Sequence, residues 1–244
     1  MTAGLSLFRR QKGLPTPWSP RDDDDAPIPL IVYGAASSLG NFAIKLAKAA
    51  NIHPIIAIAG STTFNLHGLL DEHLGDALID YRQGPDGMKK DVKKALGKLK
   101  AEHAIDAISA QGTWIPLSQM LDPENGQLSV VAGSNKYDEP EIPEGVQIKY
   151  TYVGTVHSGA YLPQMPKQPG EGANVKADID FAYVLMRFIG RMMARDEFEG
   201  HPSELIQGGL NGVEKGLRKL KAGDAKGVKF IYRVYDTPGL KKDD

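Results

Sequence analysis

The 244 residues are 41% hydrophobic and 24% charged, an ordinary balance for a globular chain that excludes disordered and collagen-like architectures. Lys and Arg (29) nearly match Asp and Glu (30), for a formal charge of −1, so no global field gathers nucleic acid or an anionic membrane, and neither is expected as a partner. Without cysteine there is no disulfide, thiolate zinc site, iron–sulfur cluster or cysteine nucleophile, which fits a reducing compartment. No run approaches the roughly 18 apolar residues of a membrane-spanning helix, so a soluble, cytoplasmic protein is expected.

Residues 1–25 read as an N-terminal helix and linker. Leu5, Phe8 and Leu14 share one helical face ahead of the proline-rich turn 15–20. The same stretch carries Arg9, Arg10, Lys12 and Arg21 with no acid before residue 22, so a mitochondrial presequence is the alternative reading. The acidic run 22–25 reads as a solvated loop rather than a metal site. From there short apolar runs alternate with helical spacing. A strand at 30–33, a helix at 38–50 through Phe42, Leu46 and Ala49, and a strand at 55–59 form one strand–helix–strand unit of about 30 residues.

The alternation continues with a helix at 66–73, a strand at 78–81, a lysine-rich helix at 88–100, and strands at 105–109 and 128–132. Strands that are apolar along their whole length are covered on both faces, which predicts a doubly wound parallel α/β sheet, the dinucleotide-binding or Rossmann-like fold, over 26–236. Beyond it come an extended segment at 148–156, a Pro/Gly-rich loop at 163–172, and a long helix carrying Phe181, Leu185, Phe188, Met192 and Met193, the methionines read as core filler. Leu205 and Ile206, a basic helix at 212–221 and a last strand at 228–235 follow, with 237–244 expected to be a disordered tail.

The strongest chemical signal joins the first strand to the first core helix: Tyr33-Gly34-Ala35-Ala36-Ser37-Ser38-Leu39-Gly40. A helix N-terminus offers unpaired N–H groups and the positive end of its dipole, and small residues in the turn let a pyrophosphate approach the main chain. Ala35, Ser37 and Gly40 occupy the three places of G-x-G-x-x-G, only the last still glycine. The plainer alternative is a tight turn serving helix–sheet packing. The second strand ends in Gly60-Ser61-Thr62-Thr63, with none of the acid that would hold the 2′-hydroxyl of NAD; these hydroxyls can donate to a 2′-phosphate, which favours NADPH. Tyr81 would cover the adenosine end while Arg82 adds charge, or Tyr81 is simply a surface tyrosine.

These residues resemble the medium-chain dehydrogenase/reductase superfamily in its zinc-free branch of quinone and enoyl reductases, and most closely the fungal trans-acting enoyl reductases that assist polyketide synthases. The resemblance rests on Ala3-Gly4-Leu5 with Leu14-Pro15, the glycine turn followed by Ala43-Ile44-Lys45-Leu46-Ala47-Lys48, Asp80-Tyr81-Arg82, and Gly208-Gly209-Leu210 with Gly223 and Lys226-Gly227. It implies zinc-independent, NADPH-dependent hydride transfer to an activated double bond or carbonyl of a small-molecule or acyl-thioester substrate. It also implies a separate catalytic barrel ahead of this domain, ending about where this chain starts, and a lysine where His67-Gly68 stands. The family's last strand, matched here by 229–234, joins that barrel's sheet. An orphaned apolar edge is therefore expected, inviting a partner chain, a second copy, or poor solubility.

On this reading Ser37, Ser38, Leu39 and Gly40 hold the pyrophosphate, and Gly60, Ser61, Thr62 and Tyr81 the 2′-phosphate end. Ser109, Ala110, Gly133 and Ser134 line the nicotinamide crevice at the strands' carboxyl ends. No catalytic acid is named and no metal is expected. His67, Asp71 and His73 lack the spacing of a helical zinc motif; His103, His157 and His201 are scattered, and only His157, after an extended strand, merits a test. Lys89, Lys90, Lys93, Lys94, Lys98 and Lys100 form a solvated face with no aromatic platform for nucleic acid. Short-chain dehydrogenases share the glycine turn but need a Tyr-x-x-x-Lys pair, and none occurs: Tyr183 is followed by Arg187. The alternative function is a catalytically silent NADPH-binding or scaffold subunit acting through the exposed edge.

Overall fold

The structure, a computed structural model, describes residues 1–157 and 175–240. Six parallel strands form the sheet: β1 (Leu30–Tyr33), β2 (Ile55–Ala59), β3 (Ala77–Asp80), β4 (His103–Asp106), β5 (Gln127–Val130) and β6 (Gln147–Tyr150), in the order β3-β2-β1-β4-β5-β6. Successive side chains in a strand point to opposite faces. In β1, Leu30 and Val32 join Ile55, Ala57 and Ile105 on one face, while Ile31 joins Ile56, Ile58, Ala104 and Leu128 on the other. Both faces are buried because helices cover both, hence the unbroken apolar runs. The doubly wound fold expected from the sequence is borne out.

One face is covered by α1 (Thr2–Phe8), α2 (Ser38–Ala49) and α5 (Val175–Met193). The other is covered by α3 (Gly84–Leu96), through Met88, Val92 and Leu96, and by α4 (Trp114–Ser118), through Trp114 and Leu117. The first helix is part of the core: Leu5 and Leu7 are fully buried. Arg9 and Arg10 meet the buried Asp178 of α5, Arg9 Nε at 3.0 Å and Arg10 Nη2 at 2.5 Å, and the Thr155 hydroxyl donates to the same carboxylate at 2.7 Å. Burial pushes the Asp178 carboxyl up, but hydrogen bonds from Arg10, Thr155 and Arg9 outweigh it and hold it below the usual range. The N-terminal basic residues are thus engaged in the fold.

Several elements differ from the sequence reading. The helix expected at 66–73 does not form: Leu66 is buried, but successive turns end at Asp71, whose carboxylate caps a 3-10 turn, Glu72–Leu74, closed by left-handed Gly75. Helix α3 starts a turn early, with Pro85 in its first turn, and stops at Gly97 (φ +59°). Lys98 and Lys100 lie past its end, and Lys100 pairs with Asp122 at 2.9 Å. Beyond β6 the chain turns as a 3-10 segment, Val153–Val156. The expected loop at 163–172 lies outside the described residues. Met192 packs on the core, whereas Met193 is half exposed rather than core filler.

The last strand is shorter than expected, and its edge is not wholly orphaned. β7 (Ser203–Leu205) and β8 (Lys229–Ile231) form a separate parallel pair, joined by α6 (Val213–Lys221), with Glu204 opposite Phe230. Thr237, placed in the expected tail, is held: its Oγ1 accepts from Leu210 N at 2.8 Å and donates to the Val234 carbonyl. Among the described residues, no helix is long and apolar enough to cross a membrane.

Candidate active site

The chain leaves β1 through Gly34, whose φ of +71° is a left-handed conformation that L side chains rarely adopt. The Ala35 amide donates to the Ile58 carbonyl at 3.0 Å and the Ser37 amide to the Gly34 carbonyl at 2.9 Å, closing the turn. Ser37 is the N-cap of α2; its Oγ accepts from the Gly40 amide at 3.1 Å. The Ser38 and Leu39 amides are left at the head of the helix without intrahelical acceptors. Gly40 is required by contact. A Cβ there would drive into the Gly34 carbonyl and stand 2.7 Å from Ala35 Cα.

Beside this turn, at the carboxyl ends of β1, β2 and β4, lies a crevice of about 590 Å³, within the usual range for small-ligand sites. Of the residues expected to bind, it gathers Ser37, Ser38, Gly60, Ser61, Thr62, Tyr81 and Ala110 on one surface. Leu39 and Gly40 follow in the first turn of α2 and are not among the lining residues. Ser109 is buried beneath it, and Gly133 and Ser134 are exposed on the loop after β5, outside the lining. Tyr81 packs beside Gly60 and 5.8 Å from the Tyr33 ring. Arg82 turns back onto Asp80, with Nη2 2.6 Å from Oδ2. Hydrogen bonds from Arg82 hold the Asp80 carboxyl down to about 2, and the guanidinium is occupied there rather than facing the crevice.

Sequence reasoning missed the wall that folds over from the C-terminus, where His201, Leu220, Lys226 and Gly227 complete the lining. Asn65 ties that wall to the turn: its Nδ2 donates to the Ala36 carbonyl at 3.1 Å and to the Gly227 carbonyl at 3.4 Å. His201 is held below the ordinary imidazole range by burial, with Lys45 and Lys229 adding positive potential, and its buried Nδ1 finds no partner among the described residues. The signal for this wall was the cluster Gly223-Asp224-Ala225-Lys226-Gly227, turn-forming residues around a lysine between a helix and a strand. Among the described residues no Asp or Glu lines the crevice. Amides, hydroxyls and one lysine make a surface suited to an anion.

On the β4 side the lining is the loop carrying Ile108, Ala110, Gln111 and Thr113. Asp106, fully buried at the end of β4, organises it. One carboxylate oxygen accepts the amides of Ile108 (3.0 Å) and Ser109 (2.7 Å), the other the Thr113 hydroxyl (2.5 Å). Burial outweighs these bonds and raises the Asp106 carboxyl above its ordinary value. Ser109 donates to the Asp106 carbonyl and accepts the Val131 amide, so it joins the loops after β4 and β5 from below rather than facing a ligand.

The other candidates lie elsewhere. His67 meets Thr63 Oγ1 at 3.2 Å, His73 and His157 are exposed, and His103 is buried at the opposite end of β4. Among the described residues no cluster of three or more His, Asp or Glu is placed to hold a metal.

A parallel sheet in the order β3-β2-β1-β4-β5-β6, with a glycine-bearing turn feeding a helix N-terminus at the switch between β1 and β4, defines a dinucleotide-binding fold of the doubly wound type. No protein-family model matches the chain. Trans-enoyl reductase fsr4 of Gibberella fujikuroi is 31% identical over 211 residues, covering 86% of this chain and 56% of that protein. Among solved structures, CurK enoyl reductase superposes with a TM-score of 0.62 at 14% identity, covering 94% of this chain and 59% of that one. CurA of Vibrio vulnificus, solved in complex with NADPH, superposes at 0.57 and 13% identity, covering 94% and 60%. The chain is thus similar in sequence to fungal trans-enoyl reductases and in fold to solved enoyl reductases, and it spans a little over half the length of the relatives it matches.

Proposed function

We propose that this chain binds NADPH in the crevice above β1, β2 and β4 and presents it for hydride transfer to an activated double bond or carbonyl, in the manner of an enoyl or quinone reductase. The observation that carries this reading is the lining, acid-free among the described residues: Ser38 at the head of α2, the hydroxyls of Ser61 and Thr62, and Lys226 meet at one cavity. That set suits a diphosphate and a 2′-phosphate. The trans-enoyl reductase relative and the NADPH-bound neighbour support the choice of cofactor and reaction. The bound nicotinamide supplies the hydride. This chain's residues would hold the phosphates at Ser38 and Leu39, cover the adenosine end with Tyr81, and exclude water from the β4 side with Ile108. Among the described residues the lining offers one imidazole and no carboxylate, a poor donor set for zinc, so we take the reaction to proceed without metal.

The acceptor is a small molecule or an acyl thioester. We place a partner chain or a second copy along the two-stranded β7–β8 sheet, where Ile231, Val234 and Tyr235 are exposed. That surface also favours the second reading, a cofactor-binding subunit without turnover. Titration with NADPH and NADH, followed by NADPH oxidation with enones, quinones and enoyl thioesters, tests both. Binding with turnover supports the reductase, binding alone the silent subunit, and absence of binding removes both. Light scattering reads the partner proposal: a second copy on this sheet gives a dimer.

A further inference from the structure

The Thr113 hydroxyl differs from the other hydroxyls that line the crevice. Its partner, Asp106 Oδ2, is a carboxylate oxygen that can only accept, so the single hydroxyl hydrogen points inward at 2.5 Å. The two remaining lone pairs are all that Thr113 offers to the cavity it lines. The carboxylate is itself fixed by the Ile108 and Ser109 amides on its other oxygen. The polarity of this point is therefore set from below. Position adds the rest: β1 lies between β2 and β4, so the loops after β2 and β4 flank the phosphate turn on opposite sides. If Ser61 and Thr62 face the adenosine end, the β4 loop faces the other nucleoside.

We propose that Thr113 is a specificity-determining hydrogen-bond acceptor for an N–H or O–H donor on the nicotinamide half of the dinucleotide, and that Asp106 is the positioning residue that keeps it an acceptor. The inference rests on the nucleotide reading above. Two groups carry the required donor, the carboxamide N–H and a hydroxyl of the adjacent ribose.

The test is calorimetric binding to the full 244-residue chain of three probes: NADP⁺, its 3-acetylpyridine analogue, which lacks the carboxamide N–H, and 2′,5′-ADP, which lacks the nicotinamide half. Thr113→Val should weaken NADP⁺ about tenfold, the size of one lost hydrogen bond, while 2′,5′-ADP stays within about twofold. Thr113→Ser, which keeps the hydroxyl, should restore NADP⁺ binding. Asp106→Asn should cost NADP⁺ at least as much as Thr113→Val, because an amide N–H facing Thr113 turns its hydrogen into the crevice. If the donor is the carboxamide, the analogue binds wild type weakly and Thr113→Val weakens it no further; if it is the ribose, the analogue loses the same factor as NADP⁺. Unchanged NADP⁺ affinity in Thr113→Val, or an equal loss for 2′,5′-ADP, overturns the proposal. Wild type that binds neither NADP⁺ nor 2′,5′-ADP overturns the nucleotide reading itself.

Discussion

Gly40 sits inside α2, where replacing glycine by alanine ordinarily stabilises a helix by about 1 kcal/mol. Here the opposite sign is expected. The three atoms nearest the new Cβ would all be main-chain: the Gly34 carbonyl oxygen, Ala35 Cα at 2.7 Å and the Gly34 carbonyl carbon at 2.9 Å. No side-chain rotation relieves such a contact, so α2 must move off the turn that closes against Ile58. Overpacking costs typically 1–3 kcal/mol, and a contact with rigid backbone belongs at the upper end. Subtracting the propensity gain leaves a net loss of about 1–2 kcal/mol. Urea unfolding of Gly40→Ala should show a lower midpoint at unchanged slope, and NADPH affinity should fall with it because the Ser38 and Leu39 amides move. A midpoint equal to or above wild type would refute the packing argument, and lost stability with intact affinity would separate the turn from the binding site.

Three further outcomes follow from the same geometry. Ser37→Asp keeps an N-cap acceptor for the Gly40 amide, so stability should stay within about 0.5 kcal/mol, while the added charge weakens NADPH at least tenfold; retained affinity would count against phosphates at this turn. Lys226→Ala should lower the ratio of NADPH to NADH affinity by about tenfold, and the loss should shrink at high salt; an unchanged ratio would free Lys226 from the 2′-phosphate. His103 is held down to about 4 by burial and by Lys149. The unfolded state then takes up a proton near pH 6.5 that the folded state refuses until about pH 4, so stability falls as pH drops across that window, by roughly 2–3 kcal/mol at pH 4.5. Urea midpoints of wild type and His103→Gln between pH 7 and pH 4.5 check this, the variant losing the smaller amount.

The central sheet was legible because β1 and β2 are short, apolar along their length and separated by helical spacing; Ile31 and Val32 are buried on opposite faces, which requires cover on both. The turn from Gly34 to Gly40 was legible because its chemistry is local. What failed was equally physical. Leu66, Leu69 and Leu70 imitate a helical stripe, yet Asp76 accepts the amides of Ile55 and Asp71 and fixes that stretch as turns. Helix α4 has only five residues and carries Pro116, too little periodicity to read. Arg82 was assigned to the ligand, but an acid two residues away claims it. His201 and Lys226 reach the crevice only through the long return of the C-terminal segment, a tertiary fact that spacing along the chain does not encode.

The loop after β4 winds through three left-handed residues, Ser109 (φ +50°), Gln111 (φ +55°) and Gly112 (φ +75°). Two of these are not glycine, and each such residue costs roughly 1–2 kcal/mol that Asp106 and its partners offset in advance. The ground under an arriving ligand is accordingly set before contact. Little chain freedom is forfeited on docking, and a molecule of the wrong outline meets a floor that does not mould itself to it.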